Sequence, residues 1–428
     1  MSSSLYELPG PRSRALAARE QAVLAPGIQQ IATLSGVAFD RGEGALLCDV
    51  DGNTFIDFVA GVGVASLGHA HPALARALGE QAARLTSGSF TSEARVRLCE
   101  RIAAATRTIG SGALGLTQLY SGGAEAVESA LRLARAHTGR HEVIAFHGAF
   151  HGKTAGVLGL MGSDFKHGLG PFLPGQHTAP YPDGKTTGEC IDFLNEIIDI
   201  QTSGQLAAIL VEPMQGTAGN VIPPPDFLPA LADVARARGA LIVVDEMITG
   251  WGRTGRLFGV EHSGVEPDIL VFGKGVAGGQ PVSGLVTSER VLRRADPWTR
   301  PSFSSSSYGG SPLGCAAADA VTRVIVEERL PAHAAEVGAA MLEGLERLQK
   351  KHPVMRAVRG AGLFLGVDLD LDRAGSERLF HACLRRGLLT MAYSPRLRIN
   401  PPLVITRAQA LDGLARLDDA LGSLACTS

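Results

Sequence analysis

Five short apolar runs punctuate the middle of the chain: residues 116–120, 143–146, 207–211, 241–244 and 269–272. Helix-patterned stretches separate several of them, which predicts right-handed βαβ units and a mostly parallel open sheet flanked by helices. Before this region, Asp51-Gly52-Asn53 lies between β-type residues and reads as a hairpin turn. After about residue 320 the pattern changes. It predicts helices over 316–328, 334–351 and 407–421 and a strand over 363–368. The fold class is therefore α/β, with a smaller α+β domain made from the two ends of the chain. The expected boundaries are 1–60 and 321–428 for the small domain and 61–320 for the large one.

With 428 residues the chain is long enough for two domains of ordinary size. A hydrophobic content of 45% and an aromatic content of 5% suit a soluble α/β enzyme rather than a disordered or fibrous chain. The formal charge of −2, with no basic stripe interleaved with aromatics, argues against nucleic acid as a partner. No apolar stretch approaches a membrane span, and Met1-Ser2-Ser3-Ser4 lacks the features of a secretory signal. Cys48, Cys99, Cys190, Cys315, Cys383 and Cys426 are scattered, with no CxxC pair. They read as reduced thiols in a cytoplasmic protein, and they supply no zinc ligand set.

The chemistry is concentrated where the apolar runs end. The run 269–272 leads through Gly273 into Lys274, and 241–244 leads into Asp245. Desolvating a lysine eases deprotonation and makes it a candidate nucleophile. Strand ends at one sheet edge are where open α/β folds bind ligands. Ser121-Gly122-Gly123-Ala124 precedes a helical pattern and can offer backbone N–H groups to an anion, although a plain strand-helix turn reads the same way. Phe150 follows the end of the second run, 143–146, and can stack on a flat ring, or simply fill the core.

His147 and His151 have metal-ligand spacing, but the glycines around them oppose a helix, so no metal site is expected. Gly250 to Gly255 forms a GxGxxG string. It does not open directly from the strand into a helix, which argues against a dinucleotide site. A lysine, an acid, an anion-binding turn and an aromatic together point to pyridoxal 5'-phosphate.

The ordered segments SGGAEAVESALRLAR, FHGAFHG, VEPMQG, DEMITGWGRTG, FGKGVAGG, SSYGGSPLGCAAA and LRINPPLVIT resemble the class III (omega) aminotransferases. The resemblance implies a fold-type I architecture and a homodimer with the active site at its interface. It implies that Lys274 forms the imine with the cofactor and that Asp245 keeps the pyridine nitrogen protonated. Gly123 and Ala124 would cradle the phosphate, and Ser307 would reach it from the neighbouring subunit. Phe150 and Met247 would cover the two ring faces. Arg398 would grip a substrate carboxylate, with Glu212 also expected at the substrate.

Three positions depart from the best-known members. Ile248 replaces a common glutamine, Thr217 a common glutamate and Ser311 a common asparagine. The first two changes resemble the branch that uses pyruvate with omega-amines. The expected activity is transfer of an amino group from a primary amine to a 2-oxo acid such as pyruvate or 2-oxoglutarate. A racemase or epimerase of the same family is the alternative. A non-catalytic scaffold would have no need of Lys274, Asp245 and Phe150.

Overall fold

The computed structural model describes residues 5–425. Near the N-terminus, β1 (Phe39–Glu43), β2 (Leu46–Asp49) and β3 (Thr54–Asp57) form an antiparallel ribbon, and Cys48 faces Thr54 across the expected turn. The apolar runs become β4 (Leu116–Tyr120), β5 (Glu142–Phe146), β7 (Leu206–Val211), β8 (Leu241–Asp245) and β9 (Ile269–Phe272). Two further strands join them: β6 (Gln176–Ala179) and β10 (Ser283–Thr287).

The seven make one sheet in the order β4-β10-β9-β8-β7-β5-β6, in which β10 alone runs against the others. Alternate residues of the central strands feed two cores. Ile209, Val211, Ile242 and Val244 pack on one face, and Ala208, Leu210, Leu241 and Val243 pack on the other. Burial of both faces is why these strands read as unbroken apolar runs. β6 carries Gln176, His177 and Thr178 at the edge of the sheet, and β10 contains Ser283 and Gly284, so neither has that signature.

The C-terminal part adds β11 (Met355–Ala361), β12 (Phe364–Leu369), β13 (Leu388–Leu389) and β14 (Arg396–Ile399). β11, β12 and β14 form a three-stranded antiparallel sheet, whereas β13 crosses to the N-terminal ribbon and pairs in parallel with β3. The strand expected at 363–368 is β12, shifted by one residue.

The first two helices expected here begin earlier than the pattern suggests, at Pro312 and Leu330. In the first of them Ser311 acts as N-cap, accepting the Gly314 N–H, with Pro312 in the first turn. The closing helix runs Arg407–Ala425. A helix at Arg373–Arg385 was not anticipated. Among the described residues no helix is long and apolar enough to cross a membrane. Cys48, Cys99, Cys190, Cys315 and Cys383 are free, and Cys426 lies outside the described residues.

Candidate active site

Parallel pairing of β8 with β9 puts Asp245 opposite Val271, so Lys274 emerges beside Asp245 at the carboxyl edge of the sheet. A cavity of about 350 Å3 opens there, and its walls include Gly123, Ala124, Phe150, Asp245, Met247 and Lys274. A larger hollow of about 570 Å3, lined by Leu114, Glu266 and Ser288 among others, lies at the opposite edge. It collects none of the residues singled out from the sequence.

Lys274 sits in a single turn of 3-10 helix with φ +41, a left-handed conformation unusual for a residue with a side chain. Burial pulls its amine pKa down. The negative charges of Asp245 and Glu212 pull the other way, and the Arg398 charge adds to the lowering. The preceding Gly273 has extended backbone, so glycine is required there by space. A Cβ would stand 2.3 Å from the Met247 sulfur.

Asp245 is almost completely buried. Its Oδ1 accepts the Met247 N–H at 3.0 Å, and its Oδ2 lies 2.8 Å from His151 Nδ1. With an ionised Asp245, Nδ1 must carry the proton of that bond. His151 is buried, and its Nε2 has no partner. His151 thus bears on the acid through its Nδ1. His147, four residues earlier, is exposed. Among the described residues no cluster is placed to hold a metal ion.

Gly123 and Ala124 begin a helix, Gly123–Thr138, whose first-turn N–H groups point toward the cavity end of the sheet. Ser283 of β10 donates its hydroxyl to Gly122 O at 2.8 Å and ties this turn to the sheet. Phe150 is half-buried and meets Phe165 edge-on, with ring centroids 6.0 Å apart.

Glu212, Ser307 and Arg398 do not line this cavity. The Glu212 carboxylate accepts the Phe150 N–H at 2.9 Å and the Gly216 N–H at 3.0 Å, so it fixes the aromatic's loop. These bonds give Glu212 a supporting role within the chain beside the substrate contact expected of it. Ser307 is exposed, in the loop before Pro312. Arg398 lies on β14 with its side chain hydrogen-bonded to Tyr393, and burial pulls its pKa down.

The Gly250–Gly255 string folds into turns. Its Arg253 is buried and donates to Leu363 O and Pro401 O, which leaves no phosphate-binding helix start. His151 and Ser283 are the cavity residues whose roles the sequence did not suggest. The only signal was the adjacency of His151 to Phe150 at a strand end.

The residues suit pyridoxal phosphate. The slot has helix N–H groups for an anion at Gly123 and Ala124, an aromatic and a thioether as walls, a buried acid and an amine. Gly152 brings the Phe150 loop close to this turn, since a Cβ there would lie 2.4 Å from Ala124 Cβ.

Comparison with known proteins agrees with this geometry. The family described as aminotransferase class-III matches residues 29–421. An acetylornithine aminotransferase of Caldanaerobacter subterraneus is 36% identical, over 90% of this chain and 94% of its own. An alanine/serine racemase of Pyrococcus horikoshii is 33% identical, over 96% and 91%. The crystal structure of an (S)-enantioselective omega-transaminase from Thermomicrobium roseum superposes with a TM-score of 0.87 at 33% identity, covering 96% of this chain and 98% of that one.

Proposed function

We propose that this chain, which belongs to the pyridoxal-phosphate-dependent class-III aminotransferases, moves the amino group of a primary amine, terminal on an amine or amino acid, to a 2-oxo acid. The observation that carries the reading is Lys274 and Asp245 at neighbouring strand ends in one cavity with the Gly123 turn. Bound there, pyridoxal phosphate supplies an aldehyde that takes up the amine nitrogen and a pyridine ring that draws off electrons.

The protein's own groups do the rest. Lys274 Nζ, kept easy to deprotonate by burial, would carry a proton from the donor carbon to the cofactor's aldehyde-derived carbon, and in the other half-reaction carry one back to the carbon of the oxo acid. Asp245, oriented by His151 and the Met247 N–H, holds negative charge against the ring nitrogen. The N–H groups of Gly123 and Ala124 take the phosphate, and Phe150 and Met247 exclude water from the two ring faces.

Arg398 has a guanidinium to offer a substrate carboxylate and lies within electrostatic reach of Lys274. Exposed Ser307 suits a contact made across a homodimer interface. Free cysteines suit a cytoplasmic setting. Ile248 packs with Met214 and Phe364 in an apolar cluster, which leaves an aliphatic wall where many relatives present an amide.

A panel of amines crossed with pyruvate and 2-oxoglutarate tests the reading. Donor alone should shift the cofactor's visible band, and the oxo acid should then be consumed and the band restored. The racemase relative favours one second reading, in which Lys274 returns the proton to the same carbon. Inversion of an amino acid with no oxo acid consumed would establish it in place of transfer.

A further inference from the structure

One face of the three-stranded sheet carries three arginines. Register sets Arg359 of β11 opposite Gly366 of β12, and Gly366 opposite Arg398 of β14. Directly opposed residues of antiparallel strands project to the same side. Asp368 and Arg396, each two residues along, oppose one another and share that side.

Two of the arginines are tied off. Arg359 forms a two-pronged pair with Asp368, 2.7 Å in each arm. Arg396 pairs with Asp183 and donates to Ala218 O at 2.8 Å. Among the described residues Arg398 has no carboxylate in ion-pair contact.

Between Arg359 and Arg398 the sheet has no side chain, and a turn of backbone fills the gap. Gly219 O accepts from Arg359 Nη2 at 2.7 Å and Asn220 O from Nε at 3.0 Å. Asn220 donates to Leu365 O at 2.8 Å and to Asn400 Oδ1 at 3.0 Å. A Cβ on Gly366 would stand 2.4 Å from Gly219 O, and one on Gly219 would stand 2.8 Å from Arg396 Cβ. Gly219 also has φ +114, a value suited to glycine.

The same turn begins at Gly216, whose N–H goes to Glu212 and whose Cβ position lies 2.9 Å from Ile248. It also carries Thr217. The turn is thus clamped at one end to the arginine face and at the other to residues beneath the cavity.

We propose that the Arg359–Asp368 fork and the bare backbone at Gly366 set the distance and angle between Arg398 and the reacting amine of Lys274. Arg359 and Gly366 are then positioning residues for carboxylate recognition. This rests on the reading that Arg398 grips a substrate carboxylate. A change of a fraction of a side-chain length in that spacing spoils a bidentate grip. It leaves the chemistry of a reagent without a carboxylate untouched.

A matched pair of reagents separates these effects in the holoenzyme. Aminooxyacetate and methoxyamine carry the same aminooxy group and both displace Lys274 from the bound aldehyde, but only the first has a carboxylate. The ratio of their second-order rate constants measures the grip. Arg359→Lys, which keeps the charge and loses the fork, and Gly366→Ala should each lower that ratio about tenfold with the methoxyamine constant unmoved.

Arg398→Ala should collapse the ratio. If it does not, the carboxylate reading itself fails. A collapsed ratio in Arg398→Ala with a parental ratio in Arg359→Lys overturns the positioning role alone. Equal slowing of both reagents in Arg359→Lys also overturns it, because it marks the fork as merely structural. Should Gly366→Ala not fold, Arg359→Lys still decides.

Discussion

Asp245 and Glu246 are consecutive acids at the end of one strand, yet they serve regions built on opposite logic. Asp245 faces the cavity, where bonding capacity is left open. His151 Nε2 is buried without a partner, and the Lys274 amine is desolvated beside the acid. Glu246 turns the other way and its capacity is closed. It accepts the N–H groups of Gly259 at 2.9 Å and Val260 at 2.7 Å and the Thr249 hydroxyl, which pins the turn that follows β8. A region made to bind keeps polar atoms unmatched at a cost in stability, whereas the Glu246 carboxylate has both oxygens matched within the chain. Burial pushes the Glu246 pKa up to about 7 in spite of those three donors.

The contrast is broken most directly at Lys274. Lys274→Ala should lower turnover by about a thousandfold or more, since it removes the proposed nucleophile and proton carrier together. Its urea-unfolding midpoint should stay at or above that of the parent, because the lost amine is one that burial disfavours. A variant that unfolds instead would put Lys274 on the structural side.

Glu246→Gln tests the other side. Glu246 has an ordinary value of 4.5 and a folded value of about 7. Between these the unfolded chain releases a proton that the folded chain keeps, so stability falls as pH rises through that window. The fall amounts to about 3 kcal/mol. The glutamine variant should flatten it in unfolding midpoints read across that pH range. An unchanged slope would show that Glu246 is not the group responsible.

His151→Phe carries a smaller effect and sharpens the comparison, because it keeps a ring and removes the Nδ1 bond to Asp245. Turnover should fall about tenfold through misorientation of the acid. The pH profile of the cofactor's absorbance should shift with it, and His151→Asn should recover part of both. Loss of stability with an unmoved pH profile would class His151 with Glu246.

Legibility in the sequence followed the same division of local from distant. Four of the five runs, β5, β7, β8 and β9, were readable because both faces are buried, and the run ends carried the lysine, the acid and the glycine turn as short contiguous strings. β6 and β10 escaped notice because an edge strand and a serine-glycine strand lack an apolar signature. The small N- and C-terminal sheets were read only in part. β13 and β14 acquire their meaning from pairing across long sequence distances, which no window of a dozen residues contains, whereas β11 pairs with the adjacent β12 but carries Arg356, Arg359 and Gly360 in place of an apolar run. Glu212 shows the limit at the site. Its strand-end position was plain, but its direction depends on where the Phe150 and Gly216 N–H groups fall. The His151–Asp245 bond joins two different strand ends, and nothing in either segment announces it.

The pairing of Leu388 with Ile56 orders events during synthesis. The first ribbon leaves the ribosome early, but the strand that completes it emerges only after the large sheet, the arginine-bearing hairpin and the helix Arg373–Arg385 have been made. Until then the edge of β3 is uncovered and open to pairing with a foreign strand. The loop from Ala60 to Val64, which brings Val64 to the cavity wall, starts directly from that edge. The ribbon that leads into the cavity loop is therefore complete only once β13 has been made.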